Sequence, residues 1–330
     1  MDEYSTKHLS LINDVAEDEK VFKLGEVTSA RKQILAAHDG LAVDATSHLS
    51  YTSKLRLESG ESEPTTGPTK LKFVDTHAHI HDPEFKFKDA DQLIKDAFKV
   101  GVETILVVGT SVKDSFIAAQ FALKHDRVFA VIGSHPHQAK KDLSNLKQLE
   151  AILRDAELKS KIVGIGEIGL DYYYNNSPRG KQIESLQYQL SLAYRFNLPV
   201  SFHVRESFND FWPIYDKFKP RGVLHSFTDN IYNMHKGLER NLYFGFNGIS
   251  TFTKDALQLE MFNQIPLESI ILETDSPFLT PRPYRGKINS PAYVKLVAED
   301  VSSKRCLSLA DVARTTTANA CFLFGLNKSL

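Results

Sequence analysis

Histidines and carboxylates recur in this chain directly after short apolar runs. They are His77, His79, His135, His137, Glu167, His203, His225 and Asp275. Six of the 12 histidines of the chain are in this set, a preference that scattered core or surface histidines would not show. Imidazole nitrogens and carboxylate oxygens are common ligands of divalent metal ions. The pattern therefore predicts a metal centre that activates water for hydrolysis.

His77 and His79 form a His-x-His pair that follows the strand-forming segment Phe73-Val-Asp75. Side chains two residues apart on an extended segment point the same way, so both imidazoles can reach one ion. Two polar residues on one strand face are the alternative interpretation of this pair taken alone.

Glu167 lies among glycines in Val163-Gly-Ile-Gly-Glu-Ile-Gly-Leu-Asp171. The glycines allow close backbone approach and leave the carboxylate uncrowded. One carboxylate can bridge two cations about 3.5–4 Å apart, as in two-metal hydrolases. We therefore expect Glu167 to be shared between two ions.

His203 and His225 each end an apolar run, and together they suit a second metal ion. Taken alone, each one is more typical of a buried structural histidine. Asp275 follows Ile270-Ile-Leu-Glu-Thr274, and we expect it to bind one ion and to accept a proton from the attacking water. Its neighbours Glu273 and Ser276 are more typical of structural roles.

From residue 71 onward, short β-branched or aromatic runs alternate with longer helical stretches, which is typical of βα units and a parallel sheet. The predicted strands are Leu71–Asp75, Glu103–Val108, Arg127–Ile132, Ile162–Gly166, Pro199–His203, Gly222–Leu224, Leu242–Gly245 and Ser269–Glu273. Predicted helices include Ala90–Val100, Lys113–Lys124, Lys181–Phe196, Lys254–Gln264, Ala292–Ser302 and Ser308–Phe324.

Eight such units in about 260 residues predict an α/β fold of the (β/α)₈ TIM-barrel class, in which the carboxyl ends of all strands share one mouth. An open doubly wound sheet is the alternative. That fold carries a glycine-rich phosphate loop after its first strand, whereas this chain has Asp75-Thr-His-Ala-His79 there.

The 330 residues have a net charge of −1, so bulk charge does not favour nucleic-acid binding, and any such contact has to be local. The two cysteines, Cys306 and Cys321, form neither a disulfide framework nor a zinc knuckle. With no secretory signal pattern and an acidic N-terminal region, we expect a cytoplasmic protein, and a nuclear pool is compatible with the sequence. No apolar run reaches the roughly 18 residues of a membrane span, so we expect no membrane partner.

Residues 58–70 contain two prolines and no bulky apolar side chain before Leu71, which is typical of a flexible linker. We therefore predict a largely irregular, partly disordered N-terminal extension over 1–70, with one short helix over Thr28–His38, and the barrel over 71–330. A partner-binding module in the extension is the alternative, but no obligate protein partner is identifiable.

Four segments resemble the TatD family of metal-dependent deoxyribonucleases, in the amidohydrolase superfamily. They are Phe73-Val-Asp-Thr-His-Ala-His79, Gly133-Ser-His-Pro-His137, Gly164-Ile-Gly-Glu-Ile-Gly-Leu-Asp-Tyr-Tyr173 and Leu272-Glu-Thr-Asp-Ser-Pro277. The resemblance runs from about residue 71 to the end of the chain and does not extend to residues 1–70. One departure is Asn289-Ser290-Pro291, where the family usually has Asn-Glu-Pro, and it puts substrate contacts of that loop in doubt.

The resemblance implies two divalent ions (Mg, Mn or Zn) and DNA as the substrate. One ion would be held by His77, His79, Glu167 and Asp275. The second would be held by Glu167, His203 and His225. The resemblance also implies hydrolysis of phosphodiester bonds, often as a 3′→5′ exonuclease. From the site itself, we expect Asp275 and Glu167 to be the catalytic carboxylates.

Candidate donors to the phosphate are His135, His137, Arg205 and Arg282, because charged and ring N–H groups stabilise developing negative charge. Each arginine is equally compatible with a salt bridge at the rim. Tyr172, followed by Tyr173 and Tyr174, is a candidate for stacking on exposed bases, and packing under the loop is the alternative.

Two other functions stay open at the level of sequence. The same barrel hosts many chemistries, so the bond cut could be an amide, a lactone or an aminoacyl ester. A non-catalytic scaffold is the third interpretation, and its signature would be the loss of metal ligands, which this sequence retains.

Overall fold

The computed structural model describes residues 71–82 and 89–326. The predicted extension, its helix over Thr28–His38 and the linker all lie outside the described residues. They stay predictions.

The described chain forms eight parallel strands, each hydrogen-bonded to the next in sequence order. They are β1 Phe73–Ala78, β2 Val102–Val108, β3 Val128–Ile132, β4 Ile162–Asp171, β5 Val200–Arg205, β6 Gly222–Leu224, β7 Tyr243–Phe246 and β8 Ile270–Leu272. Helices alternate with the strands, so the predicted (β/α)₈ TIM barrel is confirmed.

The α-helices are α1 Ala90–Lys99, α2 Val112–Leu123, α3 Ala139–Asp142, α4 Lys147–Arg154, α5 Ala156–Lys159, α6 Arg179–Phe196, α7 Phe208–Phe218, α8 Ile231–Glu239, α9 Ile249–Phe252, α10 Ala256–Gln264, α11 Val294–Arg305 and α12 Leu309–Phe324. Local sequence sets several of their ends. Ser111 caps α2 by accepting a hydrogen bond from the Asp114 N–H, and Gly325, with φ of 68°, ends α12 in the left-handed region. Within the described residues, no helix combines the length and the apolar character that a membrane crossing requires.

The seam between β8 and β1 is closed by side chains as well as by backbone. A single bridge pairs Ala78 with Ser276, and the Asp275 N–H donates to the His77 carbonyl over 2.8 Å. The carboxyl group of Asp75 accepts hydrogen bonds from the backbone N–H (2.8 Å) and the hydroxyl (2.6 Å) of Thr274. The first and last strands of the barrel are therefore joined beside two predicted ligands, His77 on β1 and Asp275 just after β8.

Successive side chains along a strand belong alternately to two apolar clusters. In β2, Ile105 and Val107 belong to the larger cluster, which includes the buried residues of the helices. Leu106 and Val108 belong to a smaller cluster with residues of β1, β3, β6, β7 and β8. Only the barrel interior brings those strands together, since successive side chains face opposite sides of a strand. Phe324, at the end of α12, belongs to this interior cluster.

Several strands are longer than predicted, which changes where the site residues lie. β4 continues past Gly166 to Asp171. It shifts register against β5 between Ile165 and Ile168 and then stays paired with β5 up to Asp171 opposite Arg205. This pairing requires glycine at Gly169, where an added Cβ would lie 1.8 Å from the His203 carbonyl oxygen. The expectation that Glu167 and His203 lie at strand ends is therefore wrong, because both lie inside strands. His77 likewise lies inside β1, whereas His225 directly follows β6.

We predict that Asp75→Ala lowers the free energy of unfolding by about 3 kcal/mol, because two donors of Thr274 lose their buried acceptor. Chemical denaturation in the presence of EDTA measures this loss without a contribution from metal binding. Asp126→Ala, at an exposed position, is the control and should change stability by less than about 0.5 kcal/mol. An Asp75→Ala protein as stable as the wild type would show that the seam does not depend on this carboxyl group.

Candidate metal centre

A cavity of about 660 Å³ opens at the carboxyl ends of the strands. Its lining includes His79, His135, Glu167, His203, His225 and Asp275. These side chains come from β4 and β5 and from the segments after β1, β3, β6 and β8, so the barrel brings together residues that lie far apart in sequence.

One group of ligand atoms surrounds the buried Nε2 of His77. This atom lies 3.2 Å from His79 Nε2, 3.4 Å from Glu167 Oε2 and 3.8 Å from Asp275 Oδ1. His79 Nε2 is itself 3.4 Å from Asp275 Oδ1. A tetrahedral ion with ligands at about 2.1 Å sets those ligands about 3.4 Å apart. These four residues therefore fit one metal ion.

The second group surrounds the other oxygen of the same carboxylate, Glu167 Oε1. It lies 2.7 Å from His203 Nδ1, 3.6 Å from His135 Nε2 and 3.7 Å from His225 Nε2. Glu167 thus turns one oxygen toward each group, which is the arrangement that a carboxylate shared by two ions requires. The donor set fits a second metal ion.

His135 differs from the other histidines of the second group in the role of its Nδ1 atom. This atom accepts a hydrogen bond from the His137 backbone N–H over 3.1 Å, so the proton of a neutral ring lies on Nε2. Burial and the charge of His203 lower the pKa of His135 well below its usual value, which keeps the ring neutral. In this tautomer the Nε2–H of His135 is available as a hydrogen-bond donor to the cavity.

Two further carboxylates hold the histidines of the second group from behind. Asp171 Oδ2 lies 2.9 Å from His203 Nε2, and Glu273 Oε2 lies 3.0 Å from His225 Nδ1. Such carboxylate–histidine pairs fix the ring orientation and raise the basicity of the metal-facing nitrogen. Asp171 was not among the predicted site residues. Its position four residues after Glu167 on one strand, and hence on the same side, is the signal that could have identified it.

The carboxylates favour positive charge on His203 and His225. Burial alone would lower the pKa of His225, but the charges of Glu273 and Glu167 outweigh burial and raise it to about 10. Burial likewise opposes the charged form of His203, but hydrogen bonds with Asp171 and Glu167 raise its pKa to about 9. The cluster therefore favours added positive charge, either as protons on the imidazoles or as metal cations.

Two buried glutamines of α6 hold the segments behind the second group. Gln189 accepts from the Ser134 N–H (2.7 Å) and donates to the Ser134 carbonyl (3.0 Å). Gln182 makes the same pair of bonds with Asp171, at 2.8 Å and 3.0 Å. Sequence reasoning missed both glutamines, although a spacing of seven residues places them on one face of the helix.

Some of the predicted substrate-binding residues line the cavity and others do not. Arg205 and His137 line the cavity, and His137 Nε2 lies 3.1 Å from Asp171 Oδ2. Arg282 is exposed on the loop after β8, outside the cavity lining. Tyr172 also lies outside that lining, because its hydroxyl donates to Asp210 over 2.6 Å and its ring packs against the core. Tyr174 lines the cavity instead.

The loop after β8 is anchored by Asn289. The next residue, Ser290, is the one that departs from the family pattern. Asn289 is buried and donates hydrogen bonds to the carbonyls of Thr274 and Phe278. Ser290, where the family usually has Glu, caps the short helical turn that follows. The departure therefore leaves the anchor of the loop in place.

We predict that Asp171→Asn weakens binding of the second metal ion by about 10- to 100-fold, because the negative charge behind His203 is lost. Metal content after dialysis against a graded chelator series measures the change. Asp210→Asn is the matched control, since Asp210 contacts Tyr172 and Arg179 and no histidine within the described part of the chain. Equal metal affinity in both variants would rule out this role for Asp171.

Comparison with known proteins bears on the identity of this centre. The family model described as TatD related DNase matches residues 74–325. The chain is 35% identical over 260 residues to YabD of Bacillus subtilis, an uncharacterised metal-dependent hydrolase, covering 77% of this chain and 99% of that protein. A crystal structure of the TatD homologue YjjV from Escherichia coli K12 has a TM-score of 0.73 and 26% identity, covering 78% of this chain and 99% of that one.

Two further relatives have names that state an activity. A Schizosaccharomyces pombe protein named deoxyribonuclease Tat-D is 32% identical over 298 residues, with 76% of this chain and 95% of that protein covered. An Escherichia fergusonii protein named 3′-5′ ssDNA/RNA exonuclease TatD is 32% identical over 248 residues, with 73% and 94% covered. The match over residues 74–325 and these relatives confirm the resemblance seen in the sequence, and this chain belongs to the TatD-related family of metal-dependent hydrolases.

Proposed function

We propose that this protein is a two-metal deoxyribonuclease that removes nucleotides from single-stranded DNA ends in the 3′→5′ direction. The observation that carries the proposal is the position of Glu167, whose two oxygens each face a separate group of imidazole nitrogens. The names of the S. pombe and E. fergusonii relatives support DNA as the substrate and the 3′→5′ direction.

His77, His79, Glu167 and Asp275 would hold the first ion, and Glu167, His203 and His225 the second. Bound divalent cations would lower the pKa of a water molecule and offset the negative charge of the phosphate. Imidazole-rich ligation suits zinc or manganese, and carboxylate oxygens also suit magnesium. The donor set is compatible with each of these three metals.

Asp275 is the residue we assign to accept the proton of the attacking water. Burial opposes its ionisation, but the hydrogen bond with His79 and the charge of His225 lower the pKa of this carboxyl group, so it is ionised at neutral pH. Its side chain is 15% exposed and reaches the cavity. An ionised carboxylate that touches the cavity is a suitable general base.

His135 and Arg205 are the donors we assign to the phosphate oxygens. The Nε2–H of His135 lies beside Glu167 Oε1, 3.6 Å away, where it would face the negative charge that develops on a bound phosphate. A neutral donor held in place by its own backbone hydrogen bond needs no reorganisation during the reaction. Arg205 adds a permanent positive charge at the cavity mouth.

We predict metal-dependent release of nucleotides from a 5′-labelled single-stranded oligonucleotide with Mg²⁺, Mn²⁺ or Zn²⁺, and none with EDTA. Glu167→Ala should abolish release, because both ions lose their shared ligand. A ladder that shortens from the 3′ end would establish the direction. Metal binding without cleavage of any oligonucleotide would instead favour hydrolysis of an amide, lactone or aminoacyl ester.

We predict that His135→Ala lowers kcat by about 100- to 1,000-fold, as expected for the loss of one donor to a developing oxyanion, while metal content stays at the wild-type level. His203→Ala is the contrasting variant and should lose metal as well as activity. Steady-state kinetics combined with metal analysis of the same samples separates the two roles. Loss of metal from His135→Ala would make His135 a ligand and overturn this assignment.

A further inference from the structure

We propose that Tyr173, Tyr174 and Arg205 form a platform that binds a nucleobase of single-stranded DNA, together with its neighbouring phosphate, beside the metal centre. We call these three residues the mouth platform. The inference rests on the proposed function and adds a binding subsite to it: the aromatic rings take a base near the cut, and the guanidinium takes a phosphate of the same strand.

The two tyrosine rings are too exposed to serve the core. Tyr173 is 53% exposed and Tyr174 is 54% exposed. The rings meet edge to face, with centroids 4.8 Å apart and planes at 89°. Tyr174 lines the cavity and Tyr173 lies directly beside it, so the pair leaves exposed aromatic surface next to the ligand groups. Bases of any sequence stack on such rings, because every base has a π-face.

Arg205 is held by the faces of these same rings. Its guanidinium carbon lies 4.0 Å from the Tyr173 ring centroid and 4.9 Å from that of Tyr174. No carboxylate in residues 71–82 or 89–326 forms a salt bridge with it. A cation–π contact fixes the guanidinium but leaves its N–H groups available, and those groups suit a phosphate.

The mouth platform is fixed to the metal centre through Asp171. The Tyr174 backbone N–H donates to Asp171 Oδ1 over 2.9 Å, and Asp171 Oδ2 lies 2.9 Å from His203 Nε2. In addition, the Tyr172 backbone N–H donates to the Arg205 carbonyl over 3.0 Å, which joins the tyrosine segment to the strand that carries Arg205. The backbone that carries the rings is therefore tied to the second ligand group.

A third exposed ring lies at the other ligand group. Phe278 is 47% exposed, lines the same cavity, and has its centroid 6.3 Å from that of His79. Aromatic faces thus flank both ligand groups. In a duplex the bases are already stacked and paired, so only an unpaired strand can offer its base faces to these rings. This arrangement selects an unpaired strand over a duplex.

The test combines protein variants with an abasic scan of the substrate. Tyr174→Leu should raise KM for a single-stranded oligonucleotide by about 5- to 150-fold, the range that corresponds to the loss of one base stack, with kcat little changed. Tyr174→Phe keeps the ring and should retain the wild-type KM. Oligonucleotides that carry one abasic residue at successive positions from the 3′ end should show the same rise in KM at one position with the wild-type protein. That position should have no further effect in Tyr174→Leu.

The matched control is Tyr232→Leu. Tyr232 is 64% exposed, and its ring carries the Lys236 ammonium at 4.6 Å, but it lies on α8 outside the cavity lining. This variant should leave KM unchanged. An equal KM for wild type, Tyr174→Leu and the abasic substrates would overturn the platform while leaving the nuclease proposal intact.

Failure of the nuclease proposal has a different signature. If the wild-type protein cleaves no oligonucleotide, fluorescence anisotropy of a labelled single strand decides the matter for the platform alone. Binding that weakens in Tyr174→Leu and not in Tyr232→Leu would support the platform without the nuclease. Binding of equal strength in all three proteins would overturn it.

Discussion

The carboxyl group of Asp75 is fully buried where the first and last strands of the barrel meet, and it accepts two hydrogen bonds from Thr274. Burial is unfavourable for its charged form and raises its pKa to about 8 despite those hydrogen bonds. This unfavourable burial occurs where His77 and Asp275 are brought together. At the same seam, the Asp275 N–H donates a hydrogen bond to the His77 carbonyl. The same seam therefore closes the barrel and brings His77 and Asp275 of the first ligand group together.

The second ligand group is held by a chain of polar contacts that starts on a helix. Gln182 of α6 fixes the backbone of Asp171, and Asp171 contacts His203, whose other nitrogen faces Glu167. Each step in this chain is a short hydrogen bond between buried or partly buried groups, where a missing partner is expensive. The imidazole thus has one orientation, which a metal site needs more than it needs any single strong contact.

Much of the fold and the centre of the site could be predicted from the sequence, because strand-forming runs and the histidines that follow them repeat with the period of βα units. The rest depends on geometry that appears only after folding. β4 extends past Glu167 because Gly169 lets the backbone approach His203, so the strand ends were placed too early. The donor role of His135 depends on a backbone N–H of His137. Likewise, the sequence Tyr172-Tyr173-Tyr174 does not indicate which of the three rings packs against the core. In the structure it is Tyr172, whose hydroxyl donates to Asp210.

The interior of the barrel is filled by apolar side chains down to Phe324, which packs beneath the strands at the end of the last helix. For the nuclease proposed above, a strand of nucleic acid that reached the cavity would not thread through this apolar interior. A released nucleotide would leave by the opening through which its parent strand arrived, and the product would have to clear the mouth before the shortened end could advance.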